Sequence, residues 1–280
     1  MDKFDYRDNI GFVFGASESY GGNQNYPKNH YEEYRHLVQN YYPDFSEEQI
    51  KNMLIKLSSE GCTYVAMVNT VFLFFRDEPE LFEEIFEMPM FDRYGKLNFY
   101  ELLIDFYLRM DNHNPLYLLW YREDYINRKE DHSETRGFGA NRFQVEWRFE
   151  RYMKMHGVRV NVKTISNNKV KKHFDKLTSR GPLAVSVRPT TLYDGQGKEI
   201  FNSTGGHCMT VTGATDDGML KVSSWGNPYY IKPGSYDGYE YYQQVIYKPV
   251  SHSPFIRWMI KYMQFPRPLW VKFVSWMMSQ

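Results

Sequence analysis

The sequence predicts an α+β fold, with a helical first half and an antiparallel sheet in the second half. Segments with the apolar repeat of amphipathic or buried helices follow one another as far as Gly157. Beyond it the pattern changes to the alternation of strands, joined by turns such as "DDG". The 280-residue chain is 42% hydrophobic and 24% charged, which is typical of a globular protein.

Residues 1–45 are rich in Gly, Asn and Tyr, and we interpret them as an N-terminal extension with loops. A helix is predicted from a capping box that begins at Ser46 to a stop at Gly61. The next helix starts at Cys62 and runs to about Phe75. Because its residues are apolar on every side, we expect a central, fully buried helix. Further helices are predicted for "LFEEIFEM", "NFYELLIDFYLRM" and "NRFQVEWRFERYMKMHG".

The second half starts with the strand "VRVNVKT" and the short helix "NNKVKKHFDKLTSRG". Together with the preceding helices, these elements predict one domain over residues 46–250. The remaining strands are predicted for "PLAVSV", "HCMTVTGA", "GMLKVSSW" and "YEYYQQVIYK".

Residues 251–280 form a basic aromatic tail that we expect to be helical from Ser253 and Pro254 onwards. The tail has no acidic residue, and four basic residues are spaced through its aromatics and methionines. One interpretation is a surface, over residues 254–278, that binds a membrane or a protein partner. The other is a helix docked on the core with its basic groups in water. The basic residues are Arg257, Lys261, Arg267 and Lys272.

Composition excludes several classes of function. The chain has 34 Lys and Arg against 34 Asp and Glu, which gives no reason to expect a nucleic acid partner. Its two cysteines make no disulfide framework and a poor zinc site, so we expect no metal and no cofactor. The N-terminal residues do not match a signal peptide, and no apolar run has membrane-spanning length. We therefore expect a cytoplasmic protein, or one exported without a cleaved leader.

Cys62 and His207 are the candidate reactive residues. A cysteine at a helix start has its thiolate stabilised by the helix N-terminus, and further by a nearby imidazolium. His207 follows two glycines and begins a predicted strand, so its ring can point into a cleft. Cys208 comes next on that strand and must point to the opposite face, which predicts a core residue.

An ordered set of motifs surrounds these residues. "GPLAVSV", "LYDGQGKEIF" and "GGHCMTVTGATDDGMLKVSSWG" together resemble the C-terminal half of a papain-like cysteine protease domain, of a divergent, bacterial kind. In that family the catalytic histidine begins a strand, and the next strand ends in Asn-Ser-Trp-Gly. "GCTYVAMVN" corresponds to the family's nucleophile helix, and the Cys62 to His207 spacing is of the family's order. The resemblance covers about residues 46–248.

The resemblance implies a papain-like fold, in which the buried nucleophile helix packs on a C-terminal antiparallel sheet or half-barrel. It implies that Cys62 attacks a carbonyl to give an acyl-enzyme, and that His207 holds the thiolate and then protonates the leaving amine. The Cys62 backbone N–H would donate to the oxyanion. Trp225 would shield the contact between His207 and its orienting group.

Two positions depart from the family's pattern. Ser223 stands where the family has the orienting Asn, and we favour it as orienter on position. Lys56 stands where the family has the oxyanion-hole Gln. Other candidate orienters are Ser224, Asn227 and Asp217, and other candidate oxyanion donors are Gln49, Asn52, Ser58 and Ser59.

These features predict a papain-like cysteine peptidase that cleaves a peptide or isopeptide bond in a peptide or protein substrate. Two alternatives stay open. The same residues could transfer the acyl group to an amine, as in acyltransferase or transglutaminase-like enzymes. A catalytically inactive relative would instead bind a membrane or partner through residues 254–278. A bacterial effector or toxin would suit an enzyme of this kind.

Overall fold

The computed structural model describes residues 20–110 and 142–262. It combines helices with an antiparallel sheet, which confirms the α+β class. The helices are α1 (Tyr26–Asn29), α2 (Tyr31–Tyr41), α3 (Glu47–Glu60), α4 (Cys62–Phe75), α5 (Pro79–Phe86), α6 (Phe99–Met110), α7 (Arg142–Met155), α8 (Asn167–Thr178) and α9 (Pro254–Tyr262). The strands are β1 (Val160–Ile165), β2 (Leu183–Arg188), β3 (Thr190–Tyr193), β4 (Glu199–Ser203), β5 (His207–Ala214), β6 (Leu220–Ser224), β7 (Asn227–Ile231) and β8 (Tyr239–Tyr247).

The helix α4 lies at the centre of the helical half. Its Val68, Val71 and Phe72 have no exposed surface, as predicted, but Phe74 near its end is 37% exposed, so the helix is central without being fully buried. The preceding helix α3 begins at the predicted capping box. There the Ser46 hydroxyl accepts from the backbone N–H of Gln49, and the Gln49 side chain accepts from the backbone N–H of Ser46.

The described strands form one antiparallel sheet in the order β1-β8-β2-β5-β6-β7-β3-β4. Apolar side chains cover both of its faces. Ala184 and Cys208 belong to the core on the α4 face. Val185 and Met209 face the other way, where Val170 of α8 joins a second core. Because β5 is central and buried on both faces, its first residues are held rigidly beside the start of α4.

The N-terminal region differs from the sequence prediction. Residues 20–45 were expected to be loops, yet they contain the two helices α1 and α2. Tyr34 and Val38 of α2 are buried, and the Tyr26 ring stacks on Tyr100 with the ring centroids 4.3 Å apart. The sequence prediction missed the repeat in α2, where Tyr31, Tyr34, Val38 and Tyr41 recur at helical spacing, and packing of these tyrosines stabilises the short helices.

The short strands β3, β4 and β7 were also absent from the sequence prediction. β4 lies at the edge of the sheet, and all but one of its residues are exposed, so it lacks the buried–exposed alternation that would predict a strand. The predicted extension before residue 20 and the predicted tail after residue 262 lie outside the described residues.

Helix α9 presents its aromatic residues outward and a basic residue inward. Arg257 and Ile260 are buried, while Phe255 is 65% and Trp258 is 56% exposed. The Arg257 guanidinium donates to the Ser251 carbonyl at 2.6 Å and also pairs with Glu84 of α5. The beginning of the tail is therefore docked, but with its arginine rather than its aromatics against the protein.

We expect replacement of Arg257 with alanine to release α9 from the helical half. The change removes the bond to Ser251 and the pair with Glu84, at a cost of about 2 kcal/mol of unfolding free energy. Amide hydrogen exchange of α9, together with urea unfolding, measures the effect. Glu84→Gln is the control, because it leaves the bond from Arg257 to Ser251 intact. Since Glu84 is half-exposed, this variant should lose less than about 1 kcal/mol of unfolding free energy. Unchanged exchange in Arg257→Ala would show that other contacts hold the helix.

Candidate active site

Cys62 lies at the junction of two helices that meet almost without a linker. α3 ends at Glu60, and only Gly61 separates it from Cys62. A Cβ atom at Gly61 would lie 2.4 Å from the carbonyl oxygen of Leu57, so the junction requires glycine. The Cys62 backbone N–H is among the first amides of α4, which have no acceptor within the helix. It is therefore placed to stabilise negative charge that develops beside the thiol.

The start of α4 runs alongside the start of β5. The Thr210 hydroxyl donates to the carbonyl of Ala66 at 3.2 Å. Cys62 lies four residues before Ala66, about 6 Å along the helix, and Cys208 lies two residues before Thr210, about 6.6 Å along the strand. In keeping with this register, the peptide group of Cys208 is near enough to the Cys62 thiol to act on its pKa, which it lowers against the larger effect of desolvation. The thiol therefore lies beside the start of β5.

His207 is held in a fixed orientation at the first position of β5. Its Nε2 lies 2.6 Å from the Ser224 hydroxyl. Its ring stacks on Trp225 with 4.3 Å between centroids, and Phe201 meets the same indole edge-to-face at 5.1 Å. The contacts of His207 with Ser224 and Trp225 do not involve Cys62. Its Nδ1 makes no hydrogen bond to any residue of the described ranges. Nδ1 is therefore the nitrogen left for another partner.

The structure places Ser224, rather than the favoured Ser223, against His207. Ser223 pairs with Thr210 across β5 and β6 and lies on the α4 face, where its hydroxyl donates to the Tyr20 carbonyl at 2.6 Å. Since side chains alternate along a strand, Ser224 lies on the opposite face, together with His207. The register of β5 against β6 decides between these adjacent serines.

The other predicted site residues bind partners other than His207. Lys56 is 4% exposed within α3, and the Ser59 hydroxyl donates to the Lys56 carbonyl at 2.9 Å. Asn227 donates to a carbonyl two residues earlier at 3.1 Å. Asp217 accepts from a threonine hydroxyl within an exposed turn. In the described part of the chain, none of the four makes a hydrogen bond to the imidazole. The Cys62 backbone N–H, at the start of α4, stays a predicted oxyanion donor.

One residue near this junction escaped the sequence prediction. Gln24 is buried, and its side-chain amide donates at 2.7 Å to the carbonyl of Ser58, in the last turn of α3. It therefore helps to fix the helix end that precedes Cys62. In the sequence Gln24 is one polar residue within a polar stretch, and nothing there distinguishes it from an exposed loop residue.

Burial favours the neutral forms of both reactive groups. Cys62 is partly exposed, but its surroundings raise the pKa of the thiol, mainly by desolvation and further by the charge of Glu60. Burial lowers the pKa of His207 to about 4. At neutral pH these directions favour a thiol and a neutral imidazole over the resting ion pair that the resemblance implies.

We expect Ser224→Ala to change the state of the His207 ring, because Nε2 loses its only hydrogen-bond partner among the described residues. The ¹⁵N chemical shift of Nε2, followed across pH, reports the tautomer and the pKa. Ser223→Ala is the matched control, since this neighbour binds Tyr20 on the opposite face. Equal changes in both variants would mean that general loosening of β6 causes the effect.

No protein-family model matches the chain, and no curated protein matches it. Over residues 20–110 and 142–262, no three His, Cys, Asp or Glu side chains are grouped as metal ligands. Among the helices described, none has the length and apolar character needed to cross a membrane.

Proposed function

We propose that the protein is a papain-like, cysteine-dependent hydrolase that cleaves a peptide or isopeptide bond through Cys62 and His207. The position of Cys62 carries the proposal: it is the first residue of α4, and α4 runs along β5, the strand that His207 begins. The nucleophile and the helix amide therefore lie beside the strand that carries the imidazole, and attack on a carbonyl uses all three groups. The ordered sequence motifs suggest a peptide or protein substrate.

The reaction starts from the neutral pair. As the Cys62 sulfur attacks the substrate carbonyl, its proton passes to His207, whose low pKa keeps it unprotonated and able to accept. The Cys62 backbone N–H donates to the developing oxyanion. The imidazolium then gives its proton to the leaving amine, and an acyl-enzyme forms. Water, deprotonated by His207, attacks this thioester, and the returning proton regenerates the thiol.

The neighbours of His207 support this assignment of its two nitrogens. Ser224 binds Nε2, which leaves Nδ1 as the nitrogen that would exchange protons with the thiol and the leaving group. Trp225 covers one face of the ring and keeps water from the bond to Ser224. These two residues are positioning residues, because they act through His207 rather than on the substrate.

The exposed face of α9 favours a second candidate function, binding to an anionic membrane surface. Phe255, Trp258 and Tyr262 form a row of exposed rings, with centroids 6.1 and 5.4 Å apart in sequence order. Residues 253–280 contain basic but no acidic residues, and aromatic rings favour the lipid interface. Co-sedimentation with phosphatidylserine vesicles, with Trp258→Ala as the variant, tests this function. Equal binding to neutral and to phosphatidylserine vesicles, or unchanged binding in Trp258→Ala, would count against the membrane function.

The hydrolase proposal is tested with a pool of peptidyl vinyl sulfones that differ in the residue beside the electrophile. Intact mass and peptide mapping show where the label attaches. We expect a label on Cys62, strong slowing in His207→Phe and unchanged labelling in Cys208→Ala. Labelling of Cys62 no faster in the folded protein than in urea would overturn the proposal.

Product analysis then separates hydrolysis from acyl transfer. A peptide substrate found with this pool is incubated with and without a primary amine. Free acid as the main product in both conditions supports the hydrolase. A new amide as the main product would instead assign the site to an acyltransferase.

A further inference from the structure

The fold brings the two cysteines of the chain together, although they lie far apart in the sequence. Cys208 is 5% exposed in the core on the α4 face, and Cys62 packs against that core from the helix start. The contact between Ala66 and Thr210 fixes how α4 lies along β5. About one helical turn before Ala66 is Cys62, and two strand residues before Thr210 is Cys208. This adjacency is independent of any catalytic role.

Several contacts show that the sulfurs share one small environment. Both belong to the core between α4 and the sheet, beside the contact between Ala66 and Thr210. Thr63 lowers the pKa of both thiols, and the charge of an ionised Cys62 raises the pKa of Cys208. Groups act on each other's pKa in this way when they are near neighbours. The backbones are held by a helix and a central strand, so the pairing is built into the fold.

The two thiols differ in access. Cys62 is partly exposed, whereas Cys208 is buried between the sheet and α4. A small oxidant therefore reaches Cys62 first, and Cys208 is placed to react with the product. This division into an exposed and a resolving thiol is the arrangement found in thiol redox switches.

We propose that Cys62 and Cys208 form a reversible disulfide when the protein meets a peroxide. The Cys62 sulfur attacks one peroxide oxygen as the thiol gives up its proton, and the O–O bond breaks. This gives a sulfenic acid on Cys62, and the departing hydroxide takes the thiol proton to become water. The Cys208 sulfur then attacks the Cys62 sulfur, the S–O bond breaks, and the hydroxide leaves as a second water after taking the Cys208 proton. Two thiols are oxidised, and one hydrogen peroxide is reduced by two electrons to two waters.

The disulfide would block the Cys62 thiol, which is the proposed nucleophile, and would protect its sulfur from further oxidation. An intramolecular bond returns to two thiols with a dithiol reductant, whereas a sulfinic acid does not. Reversible loss of activity under peroxide would follow if Cys62 is the nucleophile. The bond itself does not depend on the proposed function, so each proposal can fail without the other.

The test exposes the native protein to hydrogen peroxide and then blocks free thiols with iodoacetamide under denaturing conditions. We expect wild-type protein to lose the mass of two hydrogen atoms, to yield a peptide pair joined through Cys62 and Cys208, and to recover both thiols in dithiothreitol. Cys208→Ala should instead gain oxygen on Cys62. Cys62→Ala should leave Cys208 unmodified over the same time.

Three results would overturn the proposal. In the first, Cys62 of the wild type gains oxygen at the rate seen in Cys208→Ala. In the second, the only disulfide joins two copies of the chain, as a non-reducing gel shows. In the third, both thiols still react with iodoacetamide after the peroxide treatment. The mapping of wild-type protein decides the question even where a variant folds poorly. Circular dichroism of the oxidised sample shows whether the bond forms in the folded state.

Discussion

Replacement of Cys62 with alanine is expected to lower kcat/KM for peptide hydrolysis by at least about a thousandfold. The change removes the sulfur that would form the acyl-enzyme and leaves only substrate binding and the amides of α4. Hydrolysis of a fluorogenic peptide chosen from the labelling experiment measures the loss. Since the side chain is small and partly exposed, the variant should keep the melting temperature of the wild type within a few degrees.

Cys208→Ala is the matched control for this prediction. It removes the other thiol beside α4 but keeps the Cys208 peptide group, which lowers the pKa of the Cys62 thiol. We expect its kcat/KM to stay within a few-fold of the wild type. If both variants lose activity equally, disturbed packing between α4 and β5 explains the loss. If Cys62→Ala keeps its activity, Cys62 is not the nucleophile.

Acidification is expected to destabilise the protein through His207, by about 3 kcal/mol between pH 6.5 and pH 4. Burial lowers the pKa of His207 from 6.5 to about 4, so the unfolded state binds a proton in this range and the folded state does not. The stabilising effect of the neutral ring is complete above pH 6.5, falls as the pH drops, and is gone below pH 4. Urea unfolding at a series of pH values measures the slope.

His207→Phe isolates this contribution. Phenylalanine preserves an aromatic ring against Trp225 but does not titrate. The variant should lose less stability than the wild type over the same pH interval, and the difference between the two curves is the contribution of His207. The pKa of the partly buried His156 is lowered too, mainly by desolvation, so part of the acid slope persists in both proteins. Parallel curves would show that His207 titrates normally and is not buried as the structure places it.

Local signals in the sequence determined the elements that carry the candidate site. The capping box at Ser46, the stop at Gly61 and the all-round apolar stretch after Cys62 define two successive helices, because caps and apolar patterns act within a few residues. The same holds for the strand that begins at His207. These signals do not depend on distant parts of the chain.

Only the tertiary structure decided which side chains meet. The register of β5 against β6 brings Ser224, not Ser223, to His207. The path of α4 along β5 places Cys62 beside Cys208. Both depend on how segments far apart in the sequence align, and a shift of one residue would reverse the face on which each strand side chain lies.

The protonation states of the site also came from the fold. A cysteine at a helix start predicts a stabilised thiolate, yet the packed core around Cys62 and His207 raises the pKa of one and lowers the pKa of the other. The sequence specifies the residue types and the start of the helix, so it determined that Cys62 and His207 are the candidate reactive groups. Desolvation depends on every atom packed around a group, so the tertiary structure alone determined the charge that each group carries.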